Sequence, residues 1–149
     1  MSKQKKLPDD LSEKVIANAI LGELNKHSKQ LIDEISEFTK QLIPKGVHSA
    51  TVEVFPDEYG DGFVEIGFYF AGDVNTHIVF AEYANDLPLV DTLSYEDKFS
   101  IPDLVVDLIK QWFAESWWKA GGWQYPIPIL LYGHEDFGNG SSIKLTKDC

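Results

Sequence analysis

The spacing of apolar residues between positions 16 and 42 constrains the fold of this chain more than any other feature. These residues recur every three or four positions once position 27 is included. The series comprises Ile16, Ile20, Leu24, Leu31, Ile35, Phe38 and Leu42. Such spacing predicts an amphipathic helix whose apolar stripe must be covered by a second layer of structure.

The ends of this helix are also indicated by the sequence. Asp10 and Glu13 have the spacing of a capping box, and Pro44 and Gly46 end the helical pattern. One helix over residues 10–43 would be roughly 45–50 Å long, because each residue adds about 1.5 Å. That length is large for a domain of 149 residues, so a break within residues 26–28 is a second interpretation.

Three segments with strand character follow, at residues 47–55, 63–70 and 76–83, and short turn-rich linkers separate them. Linkers of this kind favour antiparallel hairpins. In the second segment, alternation predicts that one set of side chains faces the core. That set is Val64, Ile66, Phe68 and Phe70.

A second helix is predicted over residues 100–120, with Ser100 as its N-cap and Gly121 and Gly122 after its end. Segments 127–134 and 142–146 read as two final strands. The order α-βββ-α-ββ predicts one α+β domain over residues 1–149, with an antiparallel sheet of about five strands packed by helices. We expect residues 1–9 to be flexible.

The charge of the chain excludes several functions. Asp and Glu number 24 against 13 basic residues, all of them lysine, which gives a net charge of −11. Between Glu53 and Asp107 the only basic residue is Lys98. Nucleic acids and anionic membranes select basic surfaces, and arginine supplies the bidentate contacts to phosphate and guanine. The composition therefore predicts either a purely solubilising surface or a basic protein partner.

Localisation and metal chemistry are constrained by the same residues. A single cysteine, Cys149, permits neither an intrachain disulfide nor a cysteine cluster, and no signal peptide is indicated, so we expect a cytoplasmic protein. The histidines His27, His48, His77 and His134 lack the spacing of a zinc site. We expect no metal, no cofactor and no catalytic residue, since nucleophile and phosphate-binding motifs are also missing.

Aromatic residues are concentrated after position 111. Trp112 fits the buried stripe of the second helix, whereas Trp117 and Trp118 are about 100° apart on that helix. One sheet can hardly bury both, so at least one of them is expected at the surface. It then either caps the core against Tyr125 or anchors a partner, because Trp and Tyr dominate binding hot spots.

Several segments together resemble the YezG-like immunity proteins. They are residues 35–44, the Asp-Glu-Tyr-Gly-Asp-Gly turn at 57–62, the helix at 100–120, and Trp123 with the final hairpin. The resemblance spans residues 32–147. It implies a small acidic bacterial antitoxin that neutralises the nuclease end of a secreted polymorphic toxin by binding it. No individual functional residue is carried over.

The leading hypothesis is therefore an immunity protein, not an enzyme, whose acidic surface binds a basic toxin domain. The expected contact residues are Asp57, Glu58, Asp61, Asp86, Asp91, Glu96 and Asp97, with Trp117 or Trp118 as an anchor. One alternative is a small enzyme or ligand-binding domain. Its pocket would lie between the sheet and the second helix, near Trp123, Tyr125 and His134. Another is an adaptor that binds a different protein partner.

Overall fold

The structure is a computed structural model that describes most of the chain. The described residues are 7–8, 11–55, 64–72, 77–80, 87–91, 95 and 97–147, with 77–80 and 136 described by their backbone alone. The helices are α1 (Glu13–Asn25), α2 (Ser28–Lys40) and α3 (Ile101–Lys119). The strands are β1 (Val47–Phe55), β2 (Glu65–Gly72), β3 (His77–Phe80), β4 (Ile129–Gly133) and β5 (Ile143–Lys144). The predicted α+β class is confirmed, and the predicted order of elements holds except that two helices, α1 and α2, stand where one was predicted.

The five strands form one sheet in the order β3-β2-β1-β4-β5, and this sheet is mixed. Strand β1 pairs antiparallel with β2 and parallel with β4, so the prediction of an antiparallel sheet is wrong at this pair. Hairpin linkers fix the directions of β1, β2 and β3 only. After β3 the chain runs through α3 and returns on the other side of β1. A crossover that contains a helix allows the returning strand to lie parallel to its neighbour.

All three helices lie on the same face of the sheet. The side chains that this face buries are Ala50, Val52, Val54, Val64, Ile66, Phe68, Phe70, Ile129 and Leu131. The set predicted for the second strand is therefore confirmed as core. Helices α1 and α2 both pack against α3, which itself contacts β1 and β4. The result is a sheet with one covered face.

The core between the helices and the sheet is centred on Trp117. Its side chain has no exposed surface and lies 6.2 Å, between ring centroids, from both Phe68 and Phe113. Phe38 of α2 meets Phe68 of β2 edge to face, with 4.8 Å between their ring centroids. Tyr125 packs edge to face on Trp117 at 5.7 Å. These rings join α2, α3 and β2 in one contiguous cluster.

The long N-terminal helix is divided in two, as the second interpretation of its length allowed. His27 lies at the N-terminal end of α2, and its Nδ1 is 2.8 Å from Gln30 Oε1. The next residue, Ser28, accepts a hydrogen bond of 2.9 Å from Trp112 Nε1. The break therefore allows α2 to be fixed to α3 at its first residue.

Two predictions about the ends of this helical region are wrong. Ser12, not Asp10, caps α1, because its hydroxyl accepts a hydrogen bond from the Val15 amide. Leu42 is 97% exposed, because α2 ends at Lys40 and the backbone is extended at Gln41. By contrast, the predicted cap of α3 is confirmed: Ser100 accepts from the Asp103 amide at 3.2 Å. No described helix is long and apolar enough to cross a membrane.

Leu7 and Pro8, which belong to the segment 1–9 that we expect to be flexible, contact later parts of the chain. Leu7 is buried, and its amide donates to the Leu89 carbonyl at 2.9 Å. The fully buried Tyr95 donates its hydroxyl hydrogen to the Pro8 carbonyl and accepts from the Leu11 amide. The Tyr95 hydroxyl thus connects Pro8 and Leu11, which both precede α1, to the segment before α3.

We expect two Gly→Ala substitutions to have opposite effects. In Gly122→Ala the new methyl would overlap the indole of the buried Trp117, whereas nothing lies within 4 Å of the corresponding position at Gly22. Gly122→Ala should lower the free energy of unfolding by about 1–3 kcal/mol. Gly22→Ala, within α1, should raise it by about 0.5–1 kcal/mol. Urea denaturation measures both, and an unchanged Gly122→Ala variant would contradict the packing of Trp117.

Candidate functional site

The face of the sheet opposite the helices carries a mixture of aromatic and acidic side chains. We call Thr51, Glu53, Phe55, Glu65, Tyr69 and Tyr132 the open face. Register places them together: Thr51 pairs with Tyr69, Phe55 with Glu65, and Glu53 with Tyr132. Every one of these residues is half-buried or exposed. Their side chains therefore form a continuous accessible surface across β2, β1 and β4.

Glu53 lies at the centre of the open face, on the middle strand. Its Oε2 is 2.9 Å from His134 Nδ1, and its side chain is only 16% exposed, against 34% for His134. The His134 ring also packs on Phe55, with 4.5 Å between ring centroids. A neutral or protonated imidazole can donate to the carboxylate from Nδ1, which orients both groups.

A short turn after β4 presents His134 to Glu53. The turn spans His134–Asp136, and Glu135 within it has a left-handed backbone with φ of 49°. The loop beyond is fixed to α3 by Lys110, which is buried. Its ammonium donates to Asn139 Oδ1 at 3.0 Å and to the Ser141 carbonyl at 2.9 Å. This anchoring positions both the His134 turn and the hairpin that leads to β5.

The surroundings of two phenols on the open face raise their pKa. Burial raises the pKa of Tyr132, and a hydrogen bond to Glu53 and the negative charge of Glu53 raise it further, against a lowering effect of Thr51. Burial also raises the pKa of Tyr69, with added contributions from the charges of Glu53 and Glu65. Both hydroxyl groups are protonated near neutral pH, as a phenol of ordinary pKa also is, and can donate and accept hydrogen bonds.

This arrangement is suited to binding a cation within a protein interface. Glu53 supplies a carboxylate that is mostly shielded from water, and charge-assisted hydrogen bonds in such surroundings are stronger than at a fully exposed site. Phe55, Tyr69 and Tyr132 supply aromatic area around it, and aromatic residues are enriched at interfaces. The open face thus combines apolar contact with one central negative charge.

The acidic contact residues predicted from the sequence are only partly within the described chain. Asp57, Glu58, Asp61, Asp86 and Glu96 lie outside the described residues. Asp91 and Asp97 are exposed. Of the two candidate anchors, Trp117 is fully buried and is unavailable to a partner, whereas Trp118 is 39% exposed. The expectation that at least one of them reaches the surface is confirmed.

The residues predicted to line a pocket lie on different sides of the sheet. Tyr125 is buried on the covered face, where burial raises its pKa to about 12. His134 lies on the open face beside Phe55. Its Nδ1 is 2.9 Å from Glu53 Oε2, and its Nε2 is 3.7 Å from Glu135 Oε1. Trp123 is 38% exposed and contacts Lys144. The structure therefore does not bring these three residues into one pocket.

Sequence reasoning missed Glu53 as a site residue, because its partner His134 is 81 positions away. A weak signal was present: Glu53 interrupts the apolar residues of a central strand at an outward position. Within the described ranges, no three His, Cys, Asp or Glu side chains gather closely enough to hold a metal ion. Comparison with protein-family models, with curated proteins and with solved structures yields no match.

Two matched substitutions test the electrostatics of the open face. Glu53→Gln should lower the pKa of both Tyr69 and Tyr132, because the charge of Glu53 raises both. Glu65→Gln should lower the pKa of Tyr69 alone, since Glu65 contributes only there. Residue-resolved NMR titration of the tyrosine rings above pH 9 measures each value. An unchanged Tyr132 in Glu53→Gln would contradict the placement of Glu53.

Proposed function

We propose that this chain is an immunity protein that binds a basic toxin domain, a nuclease, and neutralises it by covering its active surface. The observation that carries the proposal is the open face, where a shielded carboxylate lies among aromatic side chains on an accessible sheet. A lysine or arginine of the partner would contact Glu53 while apolar parts of the partner pack on Phe55, Tyr69 and Tyr132.

The charge of the whole chain supports the same proposal. The net charge of −11 arises without a single arginine, and acidic residues dominate the stretch that contains β1 and β2. A field of this sign accelerates encounter with a basic domain and repels nucleic acid. An immunity protein needs rapid association, because an unbound nuclease damages its own cell.

The energetics of interfaces explain why the open face, rather than any exposed carboxylate, would determine affinity. Exposed ion pairs contribute about 0–1 kcal/mol, because water and salt screen them. Close charge pairs that are desolvated on binding contribute roughly 1.5–7 kcal/mol in measured coupling. Glu53 is the described open-face carboxylate that is already largely shielded, whereas Glu65 is exposed. We therefore assign the central contact to Glu53.

The direct experiment is to isolate the partner and measure neutralisation. Tagged protein is purified from its native cells at low salt, bound proteins are released at high salt, and the released fraction is assayed for nuclease activity. One equivalent of this chain should abolish that activity, and affinity should fall steeply between about 50 and 500 mM salt as the screening length shortens. A complex insensitive to salt would rule out the electrostatic mechanism, and a fraction without nuclease activity would contradict the toxin assignment.

A pair of variants that change net charge equally tests the assigned residue. Glu53→Gln should weaken binding of the isolated partner by about 1.5 kcal/mol or more, because a buried contact charge is lost. Glu37→Gln, on α2 with its side chain 75% exposed, removes the same charge from a helix on the covered side. It should change affinity by less than about 0.5 kcal/mol. Titration calorimetry distinguishes them, and equal losses would show that only net charge matters.

A second candidate function rests on the His134–Glu53 pair. A histidine oriented by a carboxylate and partly open to solvent has the geometry of a general base. In that case a small ligand of the open face, and not a protein, would be the physiological partner. Ligand screening by thermal shift, with His134→Ala as the variant that should lose the response, distinguishes this alternative from the immunity role.

A further inference from the structure

The neighbours of Glu53 in the sheet determine which kind of cation its carboxylate can accept. Glu53 pairs with Gly67 of β2 on one side and with Tyr132 of β4 on the other. Both positions lie on the same side of the sheet as Glu53, because paired residues of neighbouring strands share a face. In an antiparallel pair the two Cβ positions are about 4.5–5.5 Å apart. A group that fills the position of the missing Gly67 side chain therefore lies beside Glu53.

The phenol of Tyr69 fills that position. A methyl carbon at Gly67 would lie 2.9 Å from the Tyr69 hydroxyl oxygen and 2.8 Å from Cε2 of its ring. Tyr69 itself pairs with Thr51, so its side chain leans back along β2 toward the residue opposite Glu53. A glycine inside a strand often marks a close approach of this kind. The absence of a side chain at Gly67 thus brings a hydroxyl group beside the carboxylate.

A second phenol lies on the other flank of Glu53. Tyr132 forms a hydrogen bond to Glu53, and Thr51 forms one to the Tyr132 hydroxyl. The pKa of Tyr69 is raised by the charge of Glu53 and by Tyr132, after the larger effect of burial, which agrees with both phenols lying near one carboxylate. Glu53 is therefore flanked by a hydroxyl group from β2 and another from β4.

His134 occupies part of the carboxylate from a third direction. Its Nδ1 is 2.9 Å from Glu53 Oε2, and its ring packs on Phe55 with 4.5 Å between ring centroids. A carboxylate has about four lone-pair sites for hydrogen bonds. His134 and Tyr132 use two of them. An incoming donor thus meets a carboxylate that is mostly buried, already bonded and bordered by aromatic rings.

Lysine and arginine differ in how well they fit such a site. Arginine binds a carboxylate best through a planar fork that reaches both oxygens at once, and here Oε2 already faces His134. A lysine ammonium is compact and has three rotatable N–H donors. One of these can reach Glu53 while the others reach the phenol oxygens of Tyr69 and Tyr132. The methylene stem of lysine packs well on apolar surroundings, which the rings supply.

We propose that Glu53, Tyr69 and Tyr132 form a site for a primary ammonium group, which a partner protein supplies as a lysine and not as an arginine. Gly67 is the specificity-determining position, because it allows the Tyr69 hydroxyl to lie beside Glu53. The inference rests on the proposed function, in that the ligand belongs to a basic protein partner. It goes beyond that function by naming the side chain that the open face selects.

Short peptides test this selectivity in the absence of any toxin. The probe is acetyl-Leu-Lys-Leu-amide, and two controls of equal charge carry arginine or Nε-trimethyllysine in place of the lysine. NMR shifts of the Tyr69 and Tyr132 rings report binding at about 0.15 M salt, where attraction by distant carboxylates is screened. The lysine peptide should bind roughly two- to tenfold tighter than either control, which is the effect of one hydrogen bond.

Matched variants of the chain locate the selectivity. Tyr69→Phe keeps the ring and removes its hydroxyl, so the lysine peptide should bind roughly two- to tenfold more weakly and the arginine peptide as before. Gly67→Ala should act in the same way, because its methyl displaces the phenol. Tyr125→Phe makes the same chemical change on the covered face and should alter neither affinity. Tyr69→Phe changes a single accessible hydroxyl, so it tests the site even if Gly67→Ala disturbs β2.

Four results would overturn the proposal. The first is equal affinity for the lysine and arginine peptides, since charge alone would then suffice. The second is trimethyllysine binding as tightly as lysine, which would indicate an aromatic cage that needs no donor. The third is tighter binding of n-butylammonium than of the lysine peptide, which would make a free amine the ligand. The fourth is no saturable shift of either tyrosine ring up to about 20 mM lysine peptide.

These results are distinguishable from failure of the proposed function. An isolated partner without nuclease activity would contradict the toxin assignment, whichever peptide the open face prefers. Conversely, a nuclease that this chain neutralises, together with equal affinity for the lysine and arginine peptides, would leave the immunity role intact and overturn only the selectivity for lysine.

Discussion

The packing of Trp117 is the interaction on which the rest of the structure depends. Its indole lies between Phe113 of α3 and Phe68 of β2, with Tyr125 at its edge, and none of its surface is exposed. Each buried aromatic side chain removes roughly 150–250 Å² from water. This cluster attaches α2 and α3 to the same face of the sheet. Because the turn at Gly122 lies directly against Trp117, the cluster also sets the path of the chain into β4.

One consequence is that the outward side chains of the sheet are not part of the aromatic core. The outward residues of β1, β2 and β4 cannot contribute to the aromatic core, so their identity is free to serve binding. They include the aromatic residues Phe55, Tyr69 and Tyr132 and the acidic residues Glu53 and Glu65, together with Thr51 and Leu130. The central pair, Glu53 with His134, is assembled from the first strand and from the turn after the fourth. Parallel pairing of β1 with β4 brings these distant positions together.

The distribution of charge is a separate property of the surface. The chain has a net charge of −11, yet Lys144 Nζ lies 5.5 Å from the centroid of the exposed Trp123 ring. A surface of this kind can discriminate between partners by sign as well as by shape, because like charges placed opposite one another disfavour the wrong complex.

The sequence by itself determined the class, the element order and most of the core. Apolar spacing identified the helical stripe and alternation identified the buried face of β2, because local periodicity and burial are directly linked. Hairpin linkers could not reveal that β4 returns parallel to β1, since that pairing depends on a crossover through α3. Nor could the local pattern show which of Trp117 and Trp118 is buried, because the two residues are adjacent on α3 and their side chains point about 100° apart. The meeting of Glu53 with His134, and of Lys144 with Trp123, was decided by tertiary structure alone, because strand pairing sets which distant residues share a surface.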